Sequence, residues 1–224
     1  GKINGKAYEY YESGQLKLEE NYINGKLNGL SKSYYENGQL QDEIPYKNDK
    51  KEGIVKTYIE NGTLISEVTF KNGVVVGKSK LYNTKTGKLA AESNINNRKI
   101  EGVSREYYPS GKLLSEVRYN KNGRVDGIAK VYNEQTGKLE YETSAVNGQR
   151  NGLSKKYYPS GKLLSEVNFK NDKEEGMMKS YYESGKLQGE IPYKNGQVEG
   201  VVKAYDENGK LIEQAVYKNG EEVK

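Results

Sequence analysis

The sequence predicts an all-β fold: an elongated, single-layer, antiparallel β-meander of about nine stacked hairpin repeats, solenoid-like and twisted. Three observations support this prediction. A Gly recurs at steps of 24 or 25 residues, a Tyr follows it by five residues, and a Leu lies two residues beyond a second Gly. All three features occur in nine of nine repeats. The first Gly residues are Gly5, Gly29, Gly53, Gly77, Gly102, Gly127, Gly152, Gly176 and Gly200.

Each repeat is predicted to be a β-hairpin, because turn signals punctuate it about every dozen residues and aromatic or β-branched residues lie between them. The first turn, as in 108–111 (Tyr-Pro-Ser-Gly), predicts a type I turn followed by a left-handed Gly, the three-residue hairpin with a bulge. The second turn, as in 70–73 (Phe-Lys-Asn-Gly), is predicted to have the same turn type. Residues 1–224 therefore form one predicted array of about 18 strands. Two repeats insert one residue in the first turn, at 83–87 and 133–137.

The composition excludes several classes of chemistry. Cys and His are both absent, which removes a thiol nucleophile, an imidazole base, a disulfide and a Cys/His zinc site. Apolar residues make up 33% of the chain, against a usual ~45–50%, and 21 of them are Tyr. No apolar run approaches the roughly 18 residues of a membrane-spanning helix. The net charge of +5, with both signs interleaved, argues against a nucleic-acid partner.

The alternation of side chains along a strand predicts which face packs. We expect the face that carries the Tyr at the end of each first strand to be the packed one, with each Tyr largely buried beside the Leu of its own hairpin. In the second repeat the predicted packing face consists of Leu30, Lys32, Tyr34, Leu40, Asp42, Ile44 and Tyr46. Glu43 is assigned to the opposite face.

Two charged positions recur along the array. Eight of nine repeats place a base two residues before the Tyr, and eight place a Glu five residues after the second Gly, with Gln214 in the ninth. The bases would form a groove of alternating Lys and Tyr that binds anions. In the alternative interpretation, the Lys stems lie over Tyr or pair with the Glu residues. The candidate binding residues are Lys56, Lys80, Arg105, Lys130, Lys155, Tyr58, Tyr82, Tyr107, Tyr132 and Tyr157.

Neither catalysis nor metal binding is predicted. A Glu that recurs in eight repeats is typical of a structural position, whereas a catalytic carboxylate pair is unique in its chain. The acidic turn at 171–175 lacks the alternating oxygen ligands of a calcium loop. We therefore expect no catalytic residues, no cofactor and no metal.

The repeat at 29–49 resembles the MORN repeat in its bacterial variant. The matching pattern is Tyr-Tyr-x-x-Gly-x-Leu, then Glu, then Tyr-x-Asn-Gly, and it covers essentially the whole chain. The resemblance implies an elongated single-layer sheet of hairpins. Bacterial members are often labelled YwqK-like antitoxins, and eukaryotic relatives are linked to scaffolding and to acidic phospholipid membranes. The family often has Trp two residues after the first Gly, where this chain has Ala, Ser, Val or Met.

Two functions follow as hypotheses. The first is a non-enzymatic protein that binds a protein partner through an extended sheet face or groove, either neutralising a toxin or acting as an exported binding module. The alternative is a membrane-surface scaffold that binds anionic phospholipid through the Lys/Tyr positions. Residues 1–5 match residues 25–29, so the sequence begins within a turn and an upstream segment is expected. That start and the absence of Cys favour an exported or cell-surface protein over a cytoplasmic one.

Overall fold

The computed structural model describes residues 1–223, and within them the chain forms strands and turns but no helix. The chain divides into two compact units. The first unit contains Gly1–Lys112 and Lys121–Gly123, and the second contains Leu113–Asn120 and Arg124–Lys224.

The strands of each unit follow one another in chain order. In the first unit they are β1 Gly5–Tyr10, β2 Leu16–Ile23, β3 Lys26–Leu27, β4 Gly29–Tyr34, β5 Leu40–Lys47, β6 Lys50–Lys51, β7 Gly53–Tyr58, β8 Leu64–Lys71, β9 Val74–Tyr82, β10 Leu89–Asn96, β11 Lys99–Ile100 and β12 Gly102–Tyr107. In the second unit they are β13 Leu113–Tyr119, β14 Gly127–Tyr132, β15 Leu139–Val146, β16 Gln149–Tyr157, β17 Leu163–Lys170, β18 Lys173–Glu174, β19 Gly176–Tyr181, β20 Leu187–Lys194, β21 Gln197–Val198, β22 Gly200–Tyr205, β23 Leu211–Lys218 and β24 Glu221–Val223.

Within each unit, sequential strands pair antiparallel, which confirms the predicted all-β meander. The described residues form 24 strands rather than about 18, because a separate short strand follows six of the second turns: β3, β6, β11, β18, β21 and β24. In the second repeat β3 ends at Leu27, and Gly29, with a φ of 98°, begins β4. β9 and β16 run through this point, and a register shift marks it in each.

The first turn of the hairpin has the predicted geometry. The N–H of Gly38 donates to the carbonyl of Tyr35, and the N–H of Tyr35 donates to the carbonyl of Gln39, both at 2.8 Å. Gly38 has a φ of 83°, and the strand register shifts beside it, between Ser33 and Tyr34. This is a three-residue turn with a bulge, and the bulge places one extra residue in the second strand.

The second turn differs from the prediction. Its two central residues both have positive φ, as in Asn24 at 52° and Gly25 at 79°. This is a two-residue type I′ turn, which matches the right-handed twist of the strands that it joins. The prediction of the same turn type at both ends of the hairpin was therefore wrong. In the second turn the Asn itself adopts the left-handed conformation.

Arg98 holds a turn position that suits Gly better. Its φ is 62°, whereas the equivalent positions of other hairpins hold Gly or Asp. A non-Gly residue in this region costs about 1–2 kcal/mol, partly offset by the larger backbone entropy of Gly in the unfolded chain. We expect Arg98→Gly to stabilise the protein by about 0.5–1 kcal/mol in urea denaturation. Asp49→Gly is the matched control, and should stabilise less because it removes the carboxylate that accepts the Leu27 N–H at 2.8 Å.

The predicted face assignment fails across the first turn: Ile44 lies on the more buried face as predicted, but Lys32 and Tyr34 lie on the opposite face. The bulge shifts the pairing by one residue, so Lys32 lies opposite Glu43 and Ser31 lies opposite Ile44. Directly opposite residues share a face. Lys32, Tyr34 and Glu43 therefore lie on one face, here called the ladder face, and Ile44 lies on the other, here called the buried face. The most buried described residues are all on the buried face: Ser31, Val55, Ala145, Ser154 and Phe169.

The Tyr residues that end the first strands are only partly buried, and Tyr10 is 59% exposed. They were expected to be largely buried, but they lie on the more exposed ladder face. The prediction that each Tyr lies beside the Leu of its own hairpin is correct in the eight hairpins whose register is described. In each of them the two residues are direct cross-strand partners, as Tyr34 and Leu40 are.

Candidate functional site

The predicted basic positions alternate with the Glu positions in direct cross-strand pairs on the ladder face. In the first unit the order is Glu19, Lys32, Glu43, Lys56, Glu67, Lys80, Glu92 and Arg105. In the second unit it is Glu116, Lys130, Glu142, Lys155, Glu166, Lys179, Glu190, Lys203 and Gln214. We call these two rows the charge ladder. All five predicted bases, Lys56, Lys80, Arg105, Lys130 and Lys155, belong to it.

Several cations of the charge ladder make ion pairs with the neighbouring carboxylates. The shortest distances between nitrogen and oxygen are 3.5 Å for Arg105 and Glu92, 3.8 Å for Lys80 and Glu67, and 3.9 Å for Lys32 and Glu43. Partly exposed pairs of this kind contribute little to stability individually. Their main effect is to balance the positive charge locally, which favours the interpretation that the Lys residues pair with the Glu residues.

The tyrosines of the predicted site bind the same carboxylates. The hydroxyls of four of them, and of the equivalent Tyr181 and Tyr205, donate to the Glu of the preceding repeat, so each of these tyrosines links two successive repeats. The hydroxyl-to-carboxylate distances are 3.2 Å for Tyr58 and Glu43, 2.7 Å for Tyr82 and Glu67, 3.0 Å for Tyr107 and Glu92, 2.7 Å for Tyr157 and Glu142, 2.8 Å for Tyr181 and Glu166, and 3.1 Å for Tyr205 and Glu190. Tyr132, the remaining predicted tyrosine, is the cross-strand partner of Leu139.

A second set of tyrosines, missed by the sequence reasoning, links repeats in the other direction. Tyr35 donates its hydroxyl to the backbone carbonyl of Tyr58 at 2.9 Å, and Tyr158 donates to that of Tyr181 at 2.8 Å. The sequence feature that could have revealed this second set is the Tyr-Tyr doublet at the end of the first strand. The doublets Tyr157–Tyr158 and Tyr181–Tyr182 therefore bond to both the preceding and the following repeat.

Burial, followed by the hydrogen bond to glutamate, raises the pKa of Tyr82, Tyr157 and Tyr181 to about 12. The folded state thus favours the neutral phenol. The resulting stabilisation is fully present below the ordinary tyrosine pKa near 10 and is lost as pH rises through about 12. We expect a late-titrating phase in absorbance at 295 nm, reduced by one tyrosine in Tyr157→Phe. Simultaneous ionisation of all tyrosines in the folded protein would contradict this expectation.

An open groove lies on the buried face of the second unit. It encloses about 450 Å³ and runs across β15–β20. Val167, Met178 and Ser154 form its floor. Ser154 is 3% exposed, and its hydroxyl shares a hydrogen bond with that of Thr143. The walls are formed by Tyr141, Lys156, Arg150, Phe169, Glu174 and Tyr193.

Arg150 lies over an aromatic ring at the edge of this groove. Its guanidinium carbon is 3.9 Å from the ring centroid of Phe169, and its Nη2 donates to the backbone carbonyl of Asp172 at 3.1 Å. A guanidinium stacked in this way keeps donors free at its edge. The sequence reasoning missed the groove because it searched repeated positions, whereas Tyr141, Arg150 and Lys156 depart from the repeat.

A family model described as the MORN repeat variant matches seven segments, which together make up more than half of the chain. The matched segments are 3–24, 27–48, 51–72, 100–121, 150–171, 174–195 and 198–219. The chain belongs to the MORN-repeat family. The unmatched stretches 73–99 and 122–149 contain the two hairpins whose first turns carry an inserted residue. No curated protein matches the chain.

MORN repeats generally serve as non-enzymatic modules that bind proteins or lipids. Within residues 1–223, the MORN-repeat chain has no helix that is long and apolar enough to cross a membrane. The same residues contain no group of three or more carboxylates placed to hold a metal ion.

Proposed function

We propose that this MORN-repeat protein is a non-enzymatic binding protein that holds a protein partner in the groove on the buried face of its second unit. The observation that carries the proposal is the contrast between the two faces. The cations of the charge ladder stand opposite carboxylates, and many of its tyrosine hydroxyls are bonded to the same carboxylates. The groove, in contrast, is open and combines aromatic, aliphatic and cationic side chains.

Such a lining is typical of binding sites, in which apolar surface supplies affinity and a few polar groups fix orientation. Two settings suit this function: neutralisation of a toxin, as the resemblance to bacterial antitoxins implies, and display as an exported or cell-surface binding module. The alternative, binding of anionic phospholipid by Lys56, Lys80, Arg105, Lys130 and Lys155, is less favoured. An anionic headgroup at those positions would have to compete with carboxylates already beside each cation.

Capture experiments with the full chain test the proposal. The ladder variant replaces Lys80, Arg105 and Lys130 with Gln, which removes three cations without placing new carboxylates beside the existing ones. The groove variant Ser165→Trp fills the cavity that Ser165 lines. Circular dichroism and the melting temperature verify that both variants fold.

We expect partner proteins identified by mass spectrometry to bind the wild type and the ladder variant, and to be lost from the groove variant. Vesicles that contain phosphatidylserine should not sediment with the wild type. Loss of capture from the ladder variant alone, or vesicle binding that the ladder variant abolishes, would instead establish the charge ladder as the binding surface.

A further inference from the structure

We infer that the groove recognises an acidic, extended segment of the partner, with an apolar side chain between two carboxylates. This inference rests on the proposed function and specifies its ligand. It begins with Lys156, which lies on the buried face and not on the charge ladder. The row of directly paired residues to which it belongs in the second unit is Ser115, Val131, Tyr141, Lys156, Ser165, Ser180, Gly189, Ala204 and Glu213.

Lys156 is the only cation in that row, and its own partners are not acidic. Its two cross-strand neighbours are Tyr141 and Ser165, and its side chain is exposed. In the part of the chain that the structure describes, Lys156 makes no ion pair. Lys155, one residue earlier, instead stands between Glu142 and Glu166. Lys156 is therefore a cation with room for an incoming carboxylate.

The residues beside Lys156 make the space for a ligand. In the row beyond it, Ser165, Ser180 and Gly189 are small, so the surface falls away next to the long side chain of Lys156. On its other side Tyr141 supplies the only aromatic ring of the row. Of these small residues Ser165 lines the groove, so the drop in side-chain height beside Lys156 adds to its volume.

Arg150 supplies a second cation at the other wall of the groove. Its ion pair with Asp172 is 3.5 Å long and exposed. Lys155 also lines the groove but stands between Glu142 and Glu166, so Arg150 and Lys156 are the cations that face the groove, with Glu174 as the carboxylate in its lining. The groove is therefore electrostatically complementary to an acidic segment, in contrast to the balanced charge ladder.

The spacing of the two cations specifies the pattern of that segment. Lys156 lies opposite Tyr141, and Arg150 lies opposite Ala145. Tyr141 and Ala145 are four residues apart along β15, so the two cations are separated by about 13 Å along the strand direction. In an extended peptide, residues i, i+2 and i+4 point to the same side and span the same distance. Carboxylates at i and i+4 would reach Lys156 and Arg150, while an apolar side chain at i+2 would enter the cavity above Val167 and Met178.

A fluorescein-labelled peptide Gly-Glu-Ser-Phe-Ser-Glu-Gly tests the inference by fluorescence anisotropy with the full chain. We expect it to bind the wild type, and the peptide with Lys in place of both Glu residues not to bind. Lys156→Ser, which introduces the residue found at Ser180, should weaken binding at least tenfold. Arg150→Leu, which introduces the residue found at Leu27, should weaken it similarly. Lys162→Ser, in the turn after β16, removes the same charge outside the groove and should leave binding unchanged.

Melting temperatures of the variants separate loss of binding from loss of folding. If a variant melts early, binding of the wild type at rising salt gives an independent readout, because affinity from charge complementarity falls with ionic strength. Absence of binding to the wild type, or equal binding by Lys156→Ser, would overturn the inference. The proposed function would still stand if Ser165→Trp abolished partner capture, so the two failures are distinguishable.

Discussion

Replacing Tyr157 with Ala should lower the free energy of unfolding by about 3 kcal/mol, near the low end for large aromatic residues. The Tyr157 ring is partly buried and lies opposite Leu163 in its own hairpin. Its hydroxyl donates to Glu142 of the preceding repeat at 2.7 Å. The substitution thus removes packing within one repeat and a hydrogen bond to its neighbour. Urea denaturation followed by far-UV circular dichroism measures the loss.

Two variants separate these contributions. Tyr157→Phe keeps the ring and should cost only about 1.5 kcal/mol, the low end for a hydrogen bond to a charged group. Tyr10→Ala removes the same residue type at the same position of the first repeat, where the ring is 59% exposed. It should cost less than about 1 kcal/mol. Equal losses for Tyr10→Ala and Tyr157→Ala would show that burial and the bond to the preceding repeat contribute nothing.

The sequence was sufficient to predict the fold because the turn residues define the hairpins. Gly38 and its equivalents can adopt positive φ without steric cost, and they recur every 24–26 residues along the chain. Between them, aromatic and β-branched residues favour strands. The meander and the first turn could therefore be predicted from local chemistry alone.

The assignment of faces was wrong although the turn was predicted, because the alternation of side chains was continued through the turn as if it had no bulge. Side chains alternate with a period of two, so the one extra residue of the bulge, Gln41 in the second strand, reverses every assignment made across the turn. This reversal brought Glu43 next to Lys32 and thereby balanced the charge of the predicted binding site. Lys56, Tyr58 and the other predicted site residues remain candidates by position only.

The groove was beyond prediction for a different reason. It depends on Tyr141 and Lys156, which lie 15 residues apart in the sequence and are brought together by a strand register that only the structure defines. Their departure from the repeat was visible in the sequence, but it becomes informative only once the row that they share is known. In a repeat protein, positions that break the pattern together are therefore the more informative candidates for specific binding.

Glu142→Lys should lower the free energy of unfolding by about 3 kcal/mol. Glu142 lies between Lys130 and Lys155 and accepts the hydroxyl of Tyr157. The substitution places three ammonium groups in adjacent cross-strand positions, where each like-charge pair costs up to about 1 kcal/mol. It also removes the charged acceptor of Tyr157, a hydrogen bond worth about 1.5–3 kcal/mol. Chemical denaturation at low ionic strength measures the total.

Glu142→Gln is the matched control, since the ninth repeat carries Gln214 at this position opposite Lys203. The amide keeps an acceptor for Tyr157 and introduces no repulsion, so its cost should be about 1 kcal/mol. Salt separates the two contributions to Glu142→Lys: repulsion between partly exposed charges is screened at 1 M ionic strength, where the Debye length falls to about 3 Å, whereas loss of the acceptor is not. We therefore expect added NaCl to recover part of the loss in Glu142→Lys and little in Glu142→Gln. If the loss in Glu142→Lys did not respond to salt, the alternating charges would not act as an electrostatic ladder, and their pairing would reflect strand register alone.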